Sequence, residues 1–177
     1  MGFIVWGWID GGEGMTKLKH KLRAKLTRGD IPNLNGCEIR NINTEDGEAL
    51  AELMLNAYKG TVDYEGEDIE DARDEVRRLS EGEYGEPLWD CSFVAEMSKN
   101  MVGAVVVTLD RKENVPLLAF AMTSPDKKRL KVATTLMKKT VNSMIDAGFK
   151  ETIAYVTEGN EPSAGLASKF GFKIEDV

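Results

Sequence analysis

SPDKKRLKVATTLMKK (residues 124–139) opens as a turn and continues as a helix. Ala133, Leu136, Met137, Val141, Met144 and Ile145 recur at helical spacing, so one apolar face runs on to Gly148, a residue suited to ending a helix. The first turn carries Lys127, Lys128, Arg129 and Lys131. A helix start is already the positive end of the macrodipole, so cations there are unfavourable unless an anion sits over them. The unpaired N–H groups of a helix start form an anion site. A diphosphate suits it, because several N–H groups can converge on its oxygens. The alternative is a solvated basic face.

The flanking segments make this stretch the middle of a β-α-β unit. VPLLAFAMT (115–123) is a nearly unbroken apolar run, as expected of a strand covered on both faces. ETIAYVT (151–157) reads as the next strand, followed by a short helix over about 161–169 and a last short strand after FGF (170–172). Upstream, CEIRNIN (37–43) alternates like a strand, and Thr44 is placed to cap a helix reaching Tyr58. Ile69, Ala72, Val76 and Leu79 keep a helical period over 68–80. GEYGEP (82–87) is a loop, and SFVAEM (92–97) with MVGAVVVTLD (101–110) reads as a hairpin. The order β-α-α-β-β-β-α-β-α-β predicts an α/β (α+β) fold: a mixed, mostly antiparallel sheet with helices on both faces.

Residues 1–36 read as an N-terminal extension to a domain over 37–177. FIVWGWI (3–9) is apolar but too short to span a membrane, and no basic residue precedes it. TKLKHKLRAKLTR (16–28) carries Leu18, Leu22 and Leu26 every four residues. It predicts a short basic amphipathic helix that lays its leucines on the core, with a membrane-surface or acidic-partner contact as the rival reading.

The 177 residues carry a net charge of -7 and a single histidine, His20. That balance argues against nucleic-acid binding, which needs a basic face. Cys37 and Cys91 lie far apart and offer no metal-ligand spacing. Two free thiols suit a reducing compartment, so the expectation is a soluble, cytoplasmic protein with no metal and no membrane contact. Asp63, Glu65, Glu67, Asp68, Glu70, Asp71, Asp74 and Glu75 form an acidic run that reads as a solvated helix face. Trp89, just before a strand, reads as a core residue.

Element order and two local patterns resemble the GNAT superfamily of N-acetyltransferases. The superfamily's Q/R-x-x-G-x-G/A loop falls on this chain with Lys128 at the first position, Lys131 at the first glycine and Ala133 at the second. NEPSAGLASKFGF (160–172) matches the superfamily's N-x-x-A-x-x-L-Y-x-K-x-G-F at Asn160, Leu166, Lys169, Gly171 and Phe172. The resemblance covers about 37–177 and implies a fold built around a central β-α-β cofactor unit. It implies acetyl-CoA as cofactor and a primary amine as acceptor, from a small molecule or a peptide, and it allows a homodimer. The cofactor-binding set it implies is Ala121, Met122 and Thr123 on the strand, Lys128, Arg129, Leu130, Lys131, Val132, Ala133 and Thr134 at the helix start, then Asn160 and Ser163. Ser163 stands at the superfamily's alanine and suits a helix start.

The departures are as informative. Lys131 replaces a glycine. Ala167 stands where a tyrosine often protonates the departing thiolate, and 115–123 carries no Glu, Asp or His, so no catalytic acid or base is named. Only KIEDV follows Phe172, where the superfamily usually has a two-strand hairpin; either the chain is truncated or another segment completes that wall, with FIVWGWI the candidate by elimination. The resemblance sets the acidic run beside the acceptor entrance, where it would attract a cationic amine. A CoA-binding module without activity, serving as a sensor or interaction domain, is the rival reading.

Overall fold

The computed structural model describes residues 3–4 and 18–175. Strands β1 (Phe3–Ile4), β2 (Lys19–Lys25) and β3 (Glu38–Asn41) precede helices α1 (Gly47–Tyr58) and α2 (Ile69–Ser80). Strands β4 (Glu86–Pro87), β5 (Phe93–Met97), β6 (Asn100–Leu109) and β7 (Pro116–Thr123) follow. Helix α3 (Val132–Asp146), β8 (Glu151–Thr157), α4 (Glu161–Lys169) and β9 (Lys173–Ile174) complete the order. The strands form one sheet in the order β3-β5-β6-β7-β8-β2-β9, with β1 also paired to β7 and β4 to β6. Every pairing is antiparallel except β7–β8.

Alternation along the strands divides the core between the two faces. Val94, Ala104, Val106, Phe120 and Met122 meet Leu50, Leu53, Met54, Val76 and Leu79 of α1 and α2. Phe93, Ala95, Val105, Val107 and Leu118 meet Leu136, Met137, Val141 and Met144 of α3 and Leu166 of α4. All eight residues of β7 are buried, as a central strand with helices on both sides requires.

The segment expected to be a basic helix is strand β2. A repeat of four residues is also a multiple of two, so Leu18, Leu22 and Leu26 satisfy strand alternation as well as helical spacing. Leu22 and Ala24 enter the core, while Lys21 and Arg23 point to the other face. There Lys21 meets Glu113 and Glu175, and Arg23 meets Glu113, Glu151 and Glu175. These charges are matched within the chain rather than spread in water or offered to a partner. Strand β2 pairs with β8 along seven positions, from Lys19↔Thr157 to Lys25↔Glu151, and β9 adds to it at Leu22↔Ile174. Among the described residues, the wall beyond β8 is therefore built from 19–25 and 173–174. Of the apolar run FIVWGWI, Phe3–Ile4 pair with β7 and residues 5–9 lie outside the described residues.

Three smaller expectations shift. Asn43, not Thr44, caps the turn before α1, and Asp46 returns the bond in a capping box. Glu86–Pro87 forms a short strand inside the expected loop. Trp89 is exposed rather than core. Among the described residues no helix is long and apolar enough to cross a membrane, no group of His, Cys, Asp or Glu could hold a metal, and both cysteines are free.

Candidate active site

The site begins with a bulge. Strands β6 and β7 pair in register up to Val106↔Phe120, then resume at Val107↔Leu118, which leaves Ala119 without a partner. A bulge bends its strand and increases its twist. Strands β7 and β8 pair at Leu117↔Ile153 and Leu118↔Ala154, and then part at the bulge. Beyond it, the edge of β7 that faces β8 is paired by the backbone of Phe3–Ile4, at Ala121 and Phe120. The two strands thus open a cleft toward their C-terminal ends, bounded by Thr123 and Thr157. Both threonine hydroxyls are buried and, among the described residues, have no hydrogen-bond partner.

Helix α3 starts at the mouth of that cleft. Gly103 of β6 lets it sit close, since a Cβ there would come within 2.7 Å of Val132 Cγ1 and 3.0 Å of Leu136 Cδ1. Ser124 anchors the turn by donating its amide to Val102 O at 2.9 Å. The chain then makes one 3₁₀ turn over Pro125–Lys127 and reaches the helix through two left-handed residues, Arg129 (φ 73°) and Lys131 (φ 64°). Lys131 holds the position of the superfamily's first glycine, and its backbone is in the conformation that glycine adopts most freely. A large residue there carries strain of the kind that collects at ligand clamps.

This geometry leaves the start of α3 uncapped. Among the described residues no side chain bonds to it, and the first helical bond to the turn is Thr135 N–H to Lys131 O at 2.9 Å. The amides of Val132, Ala133 and Thr134 therefore face outward from the positive end of a fifteen-residue helix. Lys127 is neutralised by Asp126 at 2.8 Å, whereas Lys128, Arg129 and Lys131 are exposed and, among the described residues, make no ion pair. Leu130 between them is also exposed. Converging amides, three unmatched cations and a left-handed entry form a cradle that suits a diphosphate.

The other expected residues stand around the same cleft. Ala121, Met122 and Thr123 lie on β7 past the bulge. Asn160 caps α4 at the end of β8: its Oδ1 accepts from Ser163 N–H at 3.1 Å, and its Nδ2 donates to Asp63 Oδ2 at 2.6 Å. Ser163 is buried at the helix start. Asp63, Asn56 and Gly103 were not expected from the sequence. Asn56 reaches from α1 to Ser124 Oγ at 3.5 Å, and Asp63 of the following loop meets Asn160, so the end of α1 and the loop after it touch the two lips of the cleft. Asp63 was hidden among seven other acids, and one acid in a run of eight carries no local signal of its own.

The acidic run is not uniformly solvated. Asp63 and Glu75 are buried. Burial pushes the Glu75 carboxyl up, against the hydrogen bond from Tyr84. Fully buried Tyr58 is pushed well above the usual phenol range, first by burial and then by the carboxylates of Asp63 and Glu75, so it stays neutral. A cleft of about 320 Å³ lined by Lys25, Lys138, Lys169 and Phe170 opens at the other end of β8, away from the cradle.

A model of the Acetyltransferase (GNAT) family matches residues 51–172. Among solved structures, a GCN5-related N-acetyltransferase from Sphaerobacter thermophilus matches with a TM-score of 0.67 at 15% identity, over 89% of this chain and 48% of that one. The present chain thus spans about half the length of that protein. The PaiA N-acetyltransferase from Thermoplasma acidophilum, solved in complex with coenzyme A, gives a TM-score of 0.62 at 23% identity, over 80% of this chain and 92% of that one. The aminoglycoside N-acetyltransferase AAC(6')-Iy, solved with CoA, gives 0.59 at 16%, over 80% and 91%. At such identities the likeness shows a shared fold. No protein of curated function matches the sequence significantly.

Proposed function

The chain belongs to the GNAT acetyltransferase family, and from that membership we propose that it transfers an acetyl group from acetyl-CoA to a primary amine by direct attack of the amine. The observation that carries this reading is the uncapped start of α3, with three free amides and the unmatched cations of Lys128, Arg129 and Lys131 beside a parting strand pair. Acetyl-CoA supplies the acetyl group as a thioester.

The residues divide the work by position. Val132, Ala133 and Thr134 offer their amides to the diphosphate, and Lys128, Arg129 and Lys131 add full charge. The edge of β7 past Ala119, paired here by Phe3–Ile4, offers its backbone groups to an extended arm along Ala121–Thr123 once those two residues give way. A backbone N–H near Met122 or Thr123 polarises the carbonyl at which the amine attacks, a contribution that grows as charge develops on the oxygen. Holding the two reactants together supplies much of the rest. Asn56 at the end of α1 and Asp63 of the loop after it, one on each lip of the cleft, wall the acceptor side.

Titration with CoA, followed by thiol release over a panel of amines, tests the reading. A ligand bound to the native state raises the melting temperature. A rise together with thiol release is the expected outcome. Binding with no turnover would favour a silent CoA-binding module, consistent with Ala167 in the tyrosine's place. No shift at millimolar CoA overturns both.

A further inference from the structure

All eight acids in 63–75 are engaged within the chain. Asp68 and Asp71 close the capping box of α2, with Asp68 Oδ1 accepting from the amides of Glu70 and Asp71 at 2.8 and 3.1 Å. Glu70 pairs with Arg73 and Asp74 with Arg77 at 2.6 Å. Glu75 accepts from Tyr84 at 2.7 Å and faces Arg78 at 3.3 Å. Glu67 accepts from the amide of Glu65 at 2.8 Å, and Glu65 is itself engaged.

Asp63 differs. It is 6% exposed, its Oδ2 accepts from the neutral amide of Asn160, and among the described residues it makes no ion pair. A buried carboxylate without a cation is costly, and one neutral hydrogen bond offsets little of that cost. Its location gives the carboxylate a use. The bond to Asn160 fixes it at the end of β8, on the lip of the cleft between β7 and β8, opposite the contact of Asn56 with Ser124.

We propose that Asp63 binds a cationic group of the acceptor. An amine held as ammonium against a carboxylate has no lone pair with which to attack. The group at Asp63 is therefore a second one, and the acceptor carries at least two amino groups: one attacks in its neutral form while the other, protonated, pairs with Asp63. The proposal rests on the acetyltransferase reading and names the substrate class of that site.

Asp63→Asn is the informative variant, because its amide oxygen still accepts from Asn160 and the latch survives. The full chain, with and without saturating CoA, is titrated with 1,4-diaminobutane and with butylamine. Wild type is expected to prefer the diamine, and the variant to bind it roughly tenfold more weakly or worse, the scale of one lost charge-assisted bond. Butylamine and CoA affinities stay unchanged. In turnover the loss appears in KM for the diamine with kcat held. Equal diamine affinity in the two proteins overturns the assignment, as does a wild type that shows no preference for the diamine. A wild type that fails to bind CoA sinks the acetyltransferase reading instead, while the titration without CoA still decides the role of Asp63.

Discussion

Tyr84 donates its hydroxyl to the buried carboxylate of Glu75 at 2.7 Å, and the same ring meets Phe120 of β7 edge-on at 6.2 Å. One aromatic side chain thus joins the acidic helix α2 to the strand that carries the bulge. Tyr84→Phe keeps the ring contact and removes the donor, leaving Glu75 with Arg78 at 3.3 Å. The expected loss is about 1–3 kcal/mol, measured by denaturant unfolding near neutral pH.

The same carboxylate sets a pH dependence. Burial raises the folded-state pKa of Glu75 above its unfolded value. The native state then holds a proton that the unfolded chain releases first. This contribution is fully present below the ordinary carboxylate value and is lost as pH rises through the folded one. Glu75→Gln cannot titrate. Its stability relative to wild type should therefore improve as pH climbs from about 4.5 toward neutrality, read as the difference in melting temperature across buffers. A constant difference would contradict the assignment.

Lys131 sits in the left-handed region at φ 64°. Glycine there removes a steric cost of about 1–2 kcal/mol and adds about 0.5–1 kcal/mol of unfolded-state entropy. Lys131→Gly should match wild type or exceed it by up to about 1.5 kcal/mol. Its CoA affinity, measured by calorimetry, separates two roles for the side chain: weaker binding means the ammonium contacts the ligand, and equal or tighter binding means the lysine is only tolerated.

Gly103 admits α3 to the sheet. Gly103→Ala places a methyl 2.7 Å from Val132 Cγ1, so the helix start must shift. Overpacking of this kind costs about 1–3 kcal/mol. CoA binding should fall with it, because the displaced residue follows Lys131 directly. Calorimetry at a temperature where the variant is fully folded separates the two effects.

Phe3–Ile4 occupy the edge of β7 on which an extended cosubstrate arm would lie. Ile4→Pro removes a backbone N–H from the short strand paired to β7. The variant should bind CoA more tightly than wild type, and hydrogen exchange of the 119–123 peptide in the unliganded protein should speed up. Unchanged exchange would show that the pairing contributes nothing.

Much of the fold was legible in the residues themselves. The helical period of Ala133 to Ile145, the apolar run of β7 and the turn between them specify a β-α-β unit whatever surrounds it, because each pattern satisfies one geometry and fails the other. Lys131 in a glycine's place was visible as an oddity. The left-handed backbone beneath it was decided by the turn that joins β7 to α3. Leu18, Leu22 and Leu26 were ambiguous in principle, since a spacing of four serves helix and strand alike, and only the free edge of β8 decided for a strand. The acidic run was the hardest case. Sequence set eight carboxylates side by side, but which were capped, paired or buried depended on Arg73, Arg77, Tyr84 and Asn160 arriving from elsewhere in space or from the next turn of helix. Charge is local in the chain and compensation is not, so Asp63 emerged as the buried acid with only a neutral partner, among the described residues, when the α1–α2 loop closed onto the end of β8.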